Sequence, residues 1–263
     1  MNRPDHPGPL ARWLPPLAII VALLAVWEVA VRAAKVPDWL LPPPSAVAAT
    51  LVRERDLLLA NARVTLAEVL LGFAAAVVAG VLIAVLIDAS PAVNRAVYPL
   101  VVASQTVPIP AIAPLLLIWF GYGLLPKVLV TALVAFFPIV VSTVDGLRST
   151  DPETDALLRS LGASRRQRFR LLRMPSALPS FFSGAKIAVA ISVIGAVFGE
   201  LVGAKAGLGY LLTRSIAQFQ TERVIAAIVL LSLIAAGLFG LVSLAERFAM
   251  PWRRVEQEAA QAE

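Results

Sequence analysis

The chain has 263 residues, of which 59% are hydrophobic and only 15% are charged, and its mean hydropathy is +0.82. This composition excludes an ordinary soluble domain and is typical of an all-α protein that crosses a membrane several times. The sequence has no cysteine, which excludes disulfides, thiolate metal sites and cysteine nucleophiles. The net charge of +6 comes from arginines clustered at the ends of apolar runs, so membrane topology explains it better than nucleic-acid binding.

About six transmembrane helices are predicted from the apolar runs. Residues 1–13 form a polar tail that contains the single histidine, His6, and residues 246–263 form a second polar tail. Between them we expect a transmembrane domain over residues 14–245, because each run is long enough to cross the hydrocarbon core as a helix. The predicted spans are residues 14–31, 66–87, 97–119, 128–144, 181–202 and 225–244.

Two departures from simple spans are predicted. Residues 45–63 are of mixed polarity and predict an interfacial helix with Ser45 as its N-cap. Pro108, Pro110 and Pro114 interrupt the third span. A break at membrane depth is tolerated only where protein or a water-filled cavity covers the freed backbone groups, so this break is expected to lie in the protein interior.

A hydrophilic segment, residues 151–175, lies between the fourth and fifth spans and predicts two short helices. Asp151 followed by Pro152 is a typical helix start, and Gly162 suits the left-handed residue that ends this first helix. Ser164 and Gln167 have the spacing of a capping box that starts a second helix. We expect the second helix to end at Pro175, because the residue before a proline disfavours helical geometry.

The first of these helices has an apolar face with no obvious core of its own. Leu157, Leu158 and Leu161 share this face, whereas the second helix carries several arginines. Because the neighbouring segments are membrane spans, the leucine face is expected to dock into a groove of a partner protein. A merely solvated charged loop explains the arginines but not the paired caps or the leucines.

The arginines also predict the orientation of the chain in the membrane. If the N-terminus is cytoplasmic, the inner segments hold thirteen Lys and Arg residues and the outer segments hold nine. The densest cluster, seven arginines from Arg148 to Arg173, then faces the cytoplasm. The positive-inside rule therefore predicts that both termini and the segment 151–175 are cytoplasmic.

The segment 151–175 resembles the cytoplasmic loop of permease subunits in bacterial ATP-binding-cassette importers. The signature of that family is Glu-Ala-Ala, three residues, Gly, nine residues and Ile-x-Leu-Pro. Gly162 and Pro175 match it in type and spacing, Leu172 stands for the isoleucine, and Ala156-Leu157-Leu158 replaces the triplet. Flanking stretches such as VPIPAIAPLLLIWFGYG and GELVGAKAGLGYLL are similar to the branch that imports nitrate, sulfonates, taurine and pyrimidine precursors of thiamine.

The resemblance implies an importer permease of the bacterial inner membrane that depends on other subunits. The sequence has no Gly-x-x-x-x-Gly-Lys-Ser/Thr phosphate loop, so ATP and magnesium are expected on a separate ATPase dimer, and no cofactor on this chain. The loop contact with that ATPase is assigned to Ala156, Leu157, Leu158, Leu161, Gly162, Arg165, Leu172 and Pro175. A second permease copy, a solute-binding protein and membrane lipids are the other expected partners.

Polar residues inside the spans are candidates for the translocation path. Gln105 and Thr106 precede the proline break, and Ser192 and Glu200 lie on the fifth span. Intramembrane ionisable groups usually face a cavity or a partner, although a structural role for Glu200 is an equal alternative. Gly195, Gly199 and Gly203 form a small-residue face that permits close packing, and we expect it to contact the same span of a second copy.

Two other classes of protein compete with the permease interpretation. A membrane-embedded enzyme requires histidine with serine or aspartate, or a set of metal ligands, and one tail histidine argues against it, so no catalytic or metal residue is assigned. A self-sufficient secondary transporter or channel is the alternative, since proline-broken spans are compatible with it. Such a protein has no need of the two-helix segment.

Overall fold

The computed structural model of the chain describes residues 9–251, with side chains from residue 14 onward. His6 and the parts of both predicted tails beyond those bounds lie outside the described residues. Every element between residues 9 and 251 is helical. The helices are α1 (Pro9–Ala33), α2 (Pro44–Arg53), α3 (Arg55–Ala89), α4 (Pro91–Ser104), α5 (Ile109–Phe120), α6 (Leu124–Arg148), α7 (Pro152–Ser160), α8 (Arg165–Arg168), α9 (Met174–Leu201), α10 (Leu208–Ala217) and α11 (Thr221–Ala249).

Five helical stretches of the described chain are long and apolar enough to cross a membrane. They are Leu14–Ala33, Arg55–Ala89, Leu124–Arg148, Arg165–Leu201 and Thr221–Ala249. A sixth crossing is made if α4 and α5 count as one span, and these two helices meet at an angle of 101°. The bend lies at the predicted proline break, where Pro108 caps α5 in an extended conformation. Proline cannot continue a helix regularly, so the third span becomes two short helices.

The described chain divides into two compact units. The first comprises residues up to 59 together with residues 211–229. Within it Thr50 donates a 2.7 Å hydrogen bond to Glu222, and Arg223 pairs with Glu54. The predicted interfacial helix of residues 45–63 is in fact split, because α2 ends at Arg53 and α3 begins at Arg55. The predicted N-cap Ser45 does not cap a helix, and its hydroxyl donates to Glu28 at 2.8 Å instead.

The second unit comprises residues 60–210 and the described residues from 230 onward. Its centre is the close packing of α6 against α9, with α3 and α5 alongside. Small side chains allow the helices to approach, and the buried cluster of Ala76, Ala135, Ile139, Ala185 and Ala188 has no polar member. A Cβ at Gly184 would overlap Ser142 and the Pro138 carbonyl, so glycine is required at this crossing.

Candidate functional site

The helix α7 has the N-terminal cap that the sequence predicts. The Asp151 carboxylate accepts hydrogen bonds from the backbone N–H groups of Glu153 at 3.2 Å and Thr154 at 3.0 Å. Pro152 occupies the first turn, where its missing N–H costs nothing. Gly162 ends the segment with a φ of +80°, and the N–H of Ala163 returns to the Leu158 carbonyl. The helix is therefore fixed at both ends without help from a neighbouring subunit.

Asp155 joins α7 to the helix that follows it. Its side chain is only 6% exposed, and both of its oxygens accept from Nη1 of Arg168, at 2.9 and 3.0 Å. Arg159, one turn further along α7, donates to the same carboxylate. This charge-assisted pair links the two arms of the segment across the Gly162 turn.

The arginines also tie the segment to the end of α3. Nη1 of Arg173 donates to both oxygens of Asp88, at 2.9 and 2.7 Å. Arg165 reaches the carbonyl of Ala89, and Arg148 at the end of α6 bonds to Asn94 at 2.7 Å. Segments that the topology prediction assigns to the cytoplasmic side, residues 88–95 and 148–173, are therefore in contact with each other.

Local hydrogen bonds lower the pKa values of the Asp151 and Asp155 carboxyl groups. The pKa of the Asp155 carboxyl lies below its ordinary value of 3.8, chiefly through its hydrogen bond from Arg159, with a further bond from Arg168 and with burial acting in the opposite direction. The pKa of Asp151 is also lowered, first by the Thr154 hydroxyl and then by backbone N–H groups. Both groups are therefore charged at neutral pH, as their acceptor roles require.

The predicted leucine face is exposed. Leu157 and Leu161 are 59% and 74% exposed, and Leu158 is half-buried. Ala156 and Arg165 are exposed beside them, whereas Leu172 and Pro175 are half-buried. Asp155, on the opposite side of α7, points inward. The segment thus uses its polar face to bind its own chain and leaves its apolar face open, which is the reverse of an ordinary surface helix.

The predicted end of the second helix at Pro175 is wrong. The helix continues from Arg165 to Leu201 without interruption, so only α7 is a separate short helix. Residues Phe169–Arg173 form a π-helical segment in which the N–H of Met174 bonds to the Phe169 carbonyl. This wider turn absorbs the proline, because a local π adjustment satisfies the backbone groups that proline would disrupt. The arginine helix is therefore the beginning of the fifth span.

The structure gives Glu200 a set of ordered hydrogen-bond partners. Glu200 is 1% exposed and accepts from the Thr65 hydroxyl at 2.6 Å and from the N–H groups of Gly209 and Tyr210. The Thr65 oxygen accepts from the N–H of Leu208 at 2.8 Å. These bonds fasten residues 207–210 to α3 and α9. These partners favour the structural role for Glu200 over a place on the path.

A neighbouring buried ion pair was missed by the sequence reasoning. Lys127 donates to Glu68 at 2.6 Å, and the Glu68 side chain is 1% exposed. Asn61 of α3 accepts from the N–H of Gly207 at 2.8 Å. Thr65 and Glu68 lie in the stretch TLAEVLLGF, where two polar residues three positions apart on an apolar helix were the available signal.

The remaining path candidates differ in their surroundings. Gln105 and Thr106 are exposed at the bend between α4 and α5, and the Thr106 hydroxyl donates to the Ala103 carbonyl at 2.8 Å. Ser192 is fully buried in α9 and donates to the Ala188 carbonyl of its own helix at 2.7 Å. Gln105 and Thr106 are therefore accessible, whereas the Ser192 hydroxyl is bound to the backbone of its own helix.

The glycine face of α9 packs inside the chain. A Cβ at Gly195 would lie 3.0 Å from Cα of Thr131, and a Cβ at Gly199 would lie 3.0 Å from Cα of Lys127, both on α6. Gly203 follows the helix with a φ of +120° and faces Tyr122. The expected contact of this face with a second copy is therefore corrected: within the described chain, the close partner of Gly195 and Gly199 is α6.

The family model of the binding-protein-dependent transport system inner membrane component matches residues 76–249. The chain is 42% identical to the formylaminopyrimidine transport permease protein ThiX of Halalkalibacterium halodurans, over 92% of this chain and 96% of the relative. It is 30% identical to the taurine transport system permease protein TauC of Escherichia coli, over 90% of this chain and 88% of the relative.

A solved structure has the same fold. An inward-facing form of the MetNI methionine ABC transporter superposes with a TM-score of 0.64, covering 76% of this chain and 97% of the matched chain at 21% identity. The chain is therefore similar to this transporter subunit in the arrangement of its helices.

Proposed function

This chain belongs to the family of binding-protein-dependent transport system inner membrane components and is the permease subunit of an ATP-driven importer, and we propose that α7 is its contact with the ATPase. The single observation that carries this proposal is the exposed pair Leu157 and Leu161 on a helix that is capped at both ends. A preformed apolar ridge loses little entropy on docking, and each fully buried leucine contributes on the order of 1.5–3 kcal/mol.

The polar side of α7 connects the proposed ATPase contact to the membrane spans, so a movement of the ATPase can be transmitted to them. The hydrogen bond that Arg168 donates to Asp155 links α7 to the helix that becomes α9, and α9 packs along α6. A displacement of α7 by the ATPase would therefore move the cytoplasmic end of α9 with it. The π segment at Phe169–Arg173 lies between the two and is the natural place for the helix to flex, since π turns interrupt regular helical bonding.

The partners and orientation follow from the same proposal. Both termini and α7 face the cytoplasm, where the ATPase dimer binds ATP and magnesium. A second permease copy completes the translocation path, and a solute-binding protein delivers the solute from outside. Gln105 and Thr106, exposed at the bend between α4 and α5, are the path residues that remain after Glu200 and Ser192 are assigned to structural bonds.

The solute is proposed to be a small polar or anionic organic compound. A pyrimidine precursor is the first candidate to test, since the relative named for formylaminopyrimidine is 42% identical over nearly the full length. Sulfonates and nitrate are the competing candidates, because relatives named for aliphatic sulfonates and nitrate also match. The binding protein sets much of this choice, so its bound solute, measured by calorimetry, decides between them.

The coupling proposal is tested by changing the exposed ridge. Leu161→Asp leaves the fold of the chain intact, because this side chain is 74% exposed, but it places a charge in the docking surface. We expect loss of ATPase co-purification and of ATP-dependent uptake in vesicles, and the same from Gly162→Leu, which strains a residue at φ +80°.

The matched control is Gln167→Glu. It also adds a negative charge to an exposed position of residues 151–175, and glutamate keeps the capping box with Ser164. We expect normal assembly and uptake. Normal uptake by Leu161→Asp, or solute movement by the purified chain without an ATPase, would overturn the proposal.

A further inference from the structure

A basic groove lies beside α7, and Arg165 is the one residue of the assigned coupling contact that lines it. It encloses about 530 Å³, and five arginines line it: Arg159, Arg165, Arg166, Arg168 and Arg173. The other wall is formed by Val85, Asp88 and Ala89 at the end of α3. Such a concentration of guanidinium groups around one cavity is the arrangement that binds phosphate.

The charges of this groove are only partly neutralised within the chain. Asp88 pairs with Arg173, and Asp155 pairs with Arg168 and Arg159. Arg165 has a long hydrogen bond of 3.4 Å to the Ala89 carbonyl, and the guanidinium of Arg166 makes no hydrogen bond or ion pair with the described residues. Nε of Arg168 is buried and also lacks a partner among them. The groove therefore keeps unused donors and an excess of positive charge.

The groove continues from a lipid-facing stripe. Val78, Leu82 and Leu86 recur every fourth residue on α3 and are each about 60% exposed, as expected for side chains in contact with acyl chains. Val85 and Ala89 follow on the same side of the helix and form the wall of the groove. The apolar stripe ends at Asp88, so the arginines lie at the depth of the headgroups.

We propose that this groove binds the phosphate of an anionic phospholipid of the inner leaflet, with its acyl chains along the α3 stripe. Arg165 and Arg166 contribute the free donors, and the pairs with Asp88 and Asp155 hold the remaining arginines in place. This inference rests on the cytoplasmic orientation given under the proposed function. A lipid there would brace α7 against the end of α3 and so tune the coupling contact.

The test compares two double variants of the full chain in nanodiscs. Arg165→Gln with Arg166→Gln removes two groove charges, whereas Arg170→Gln with Arg247→Gln removes two charges that do not line the groove. Native mass spectrometry then measures retained phosphatidylglycerol against phosphatidylcholine. We expect the groove variant to lose selectivity on the order of 30-fold, since each arginine near an anionic headgroup contributes a factor of about five. The control variant should match the wild type.

Three results would overturn the inference. Equal losses in both double variants would indicate general surface charge, and displacement of the lipid by millimolar inorganic phosphate would indicate a site for the free anion. Unchanged lipid selectivity with lost ATPase co-purification would assign the groove to an acidic protein segment. Because lipid retention is measured without the ATPase, its failure is separate from a failure of the Leu161→Asp experiment.

Discussion

Two buried carboxylates hold two connecting segments of this protein, and they do so in different ways. Asp155 fastens α7 through side chains, the guanidinium groups of Arg168 and Arg159. Glu200 fastens residues 207–210 through backbone N–H groups and the Thr65 hydroxyl. The first carboxylate lies between the exposed Arg159 and the largely buried Arg168, whereas the second is enclosed by α3, α9 and residues 207–210.

The difference leads to a prediction about which of the two segments moves during transport. Ion pairs between long side chains tolerate rotation of one partner relative to the other, so the contact at Asp155 can persist while α7 shifts. Bonds to backbone N–H groups have no such freedom, and a buried N–H without an acceptor is costly. We therefore expect the Glu200 region to be a fixed part of the fold and the Asp155 region to be a joint.

The largest effect is expected from Glu200→Ala. The change removes the carboxylate that accepts from the N–H groups of Gly209 and Tyr210, at a cost of about 1–3 kcal/mol for each buried group. The Thr65 hydroxyl keeps only its 3.3 Å bond to the Asn61 carbonyl. We expect a lower thermal midpoint in detergent and poor accumulation in membranes. Glu200→Gln keeps one acceptor oxygen and should lose less. A midpoint unchanged by Glu200→Ala would show that this region is not a fixed part of the fold.

Gly207→Ala should destabilise the same region by a different route. Gly207 has a φ of +118°, and a Cβ there would overlap the Glu200 carboxylate. Backbone strain of this kind costs about 1–3 kcal/mol before the overlap is counted. The matched control is Gly240→Ala on α11, where a Cβ meets no atom within 4 Å and alanine favours the helix. The thermal midpoints of the two variants should move in opposite directions.

Asp155→Asn should affect coupling more than stability. Asparagine keeps the shape but loses the charge that holds Arg168 and Arg159, so α7 would remain folded by its Asp151 cap while losing its link to α9. We expect ATPase co-purification to persist and solute transported per ATP to fall about tenfold, the factor that corresponds to ~1.4 kcal/mol.

Exchanging the charges of Asp155 and Arg168 provides a complementary measurement. Asp155→Arg combined with Arg168→Asp restores opposite charges across the turn and should recover part of the transport ratio, whereas either single change should not. If Asp155→Asn transported solute with the wild-type ratio of solute to ATP, the joint at Asp155 would have no part in transmission.

The smallest effect is expected from pH. Because the pKa of Asp155 is lower in the folded chain than its ordinary value of 3.8, its contribution to stability is present above that value and is lost as the pH falls through the lowered pKa. Hydrogen exchange of α7 should therefore show constant opening free energies from pH 8 to about pH 5. A loss of protection already between pH 7 and pH 6 would contradict the assignment of these ion pairs.

Much of the loop was predictable because its signals are local. The cap at Asp151, the left-handed Gly162 and the capping box of Ser164 with Gln167 each depend on residues within four positions, and all three are present. Pro175 was misjudged for the same reason, since a local rule disfavours helix before proline. The π segment that accommodates it depends on the span that follows.

The sequence by itself determined that this is a helical membrane protein with one arginine-rich, doubly capped segment, because hydropathy and capping act over short distances along the chain. Only the tertiary structure decided which partner each buried polar group has: Glu200 with Thr65, Glu68 with Lys127 and Asp155 with Arg168. It also showed that Gly195 and Gly199 face α6. These contacts join residues that are far apart in sequence. Packing and the cost of burying an unpaired charge determine which residues pair, and local sequence patterns carry no information about it.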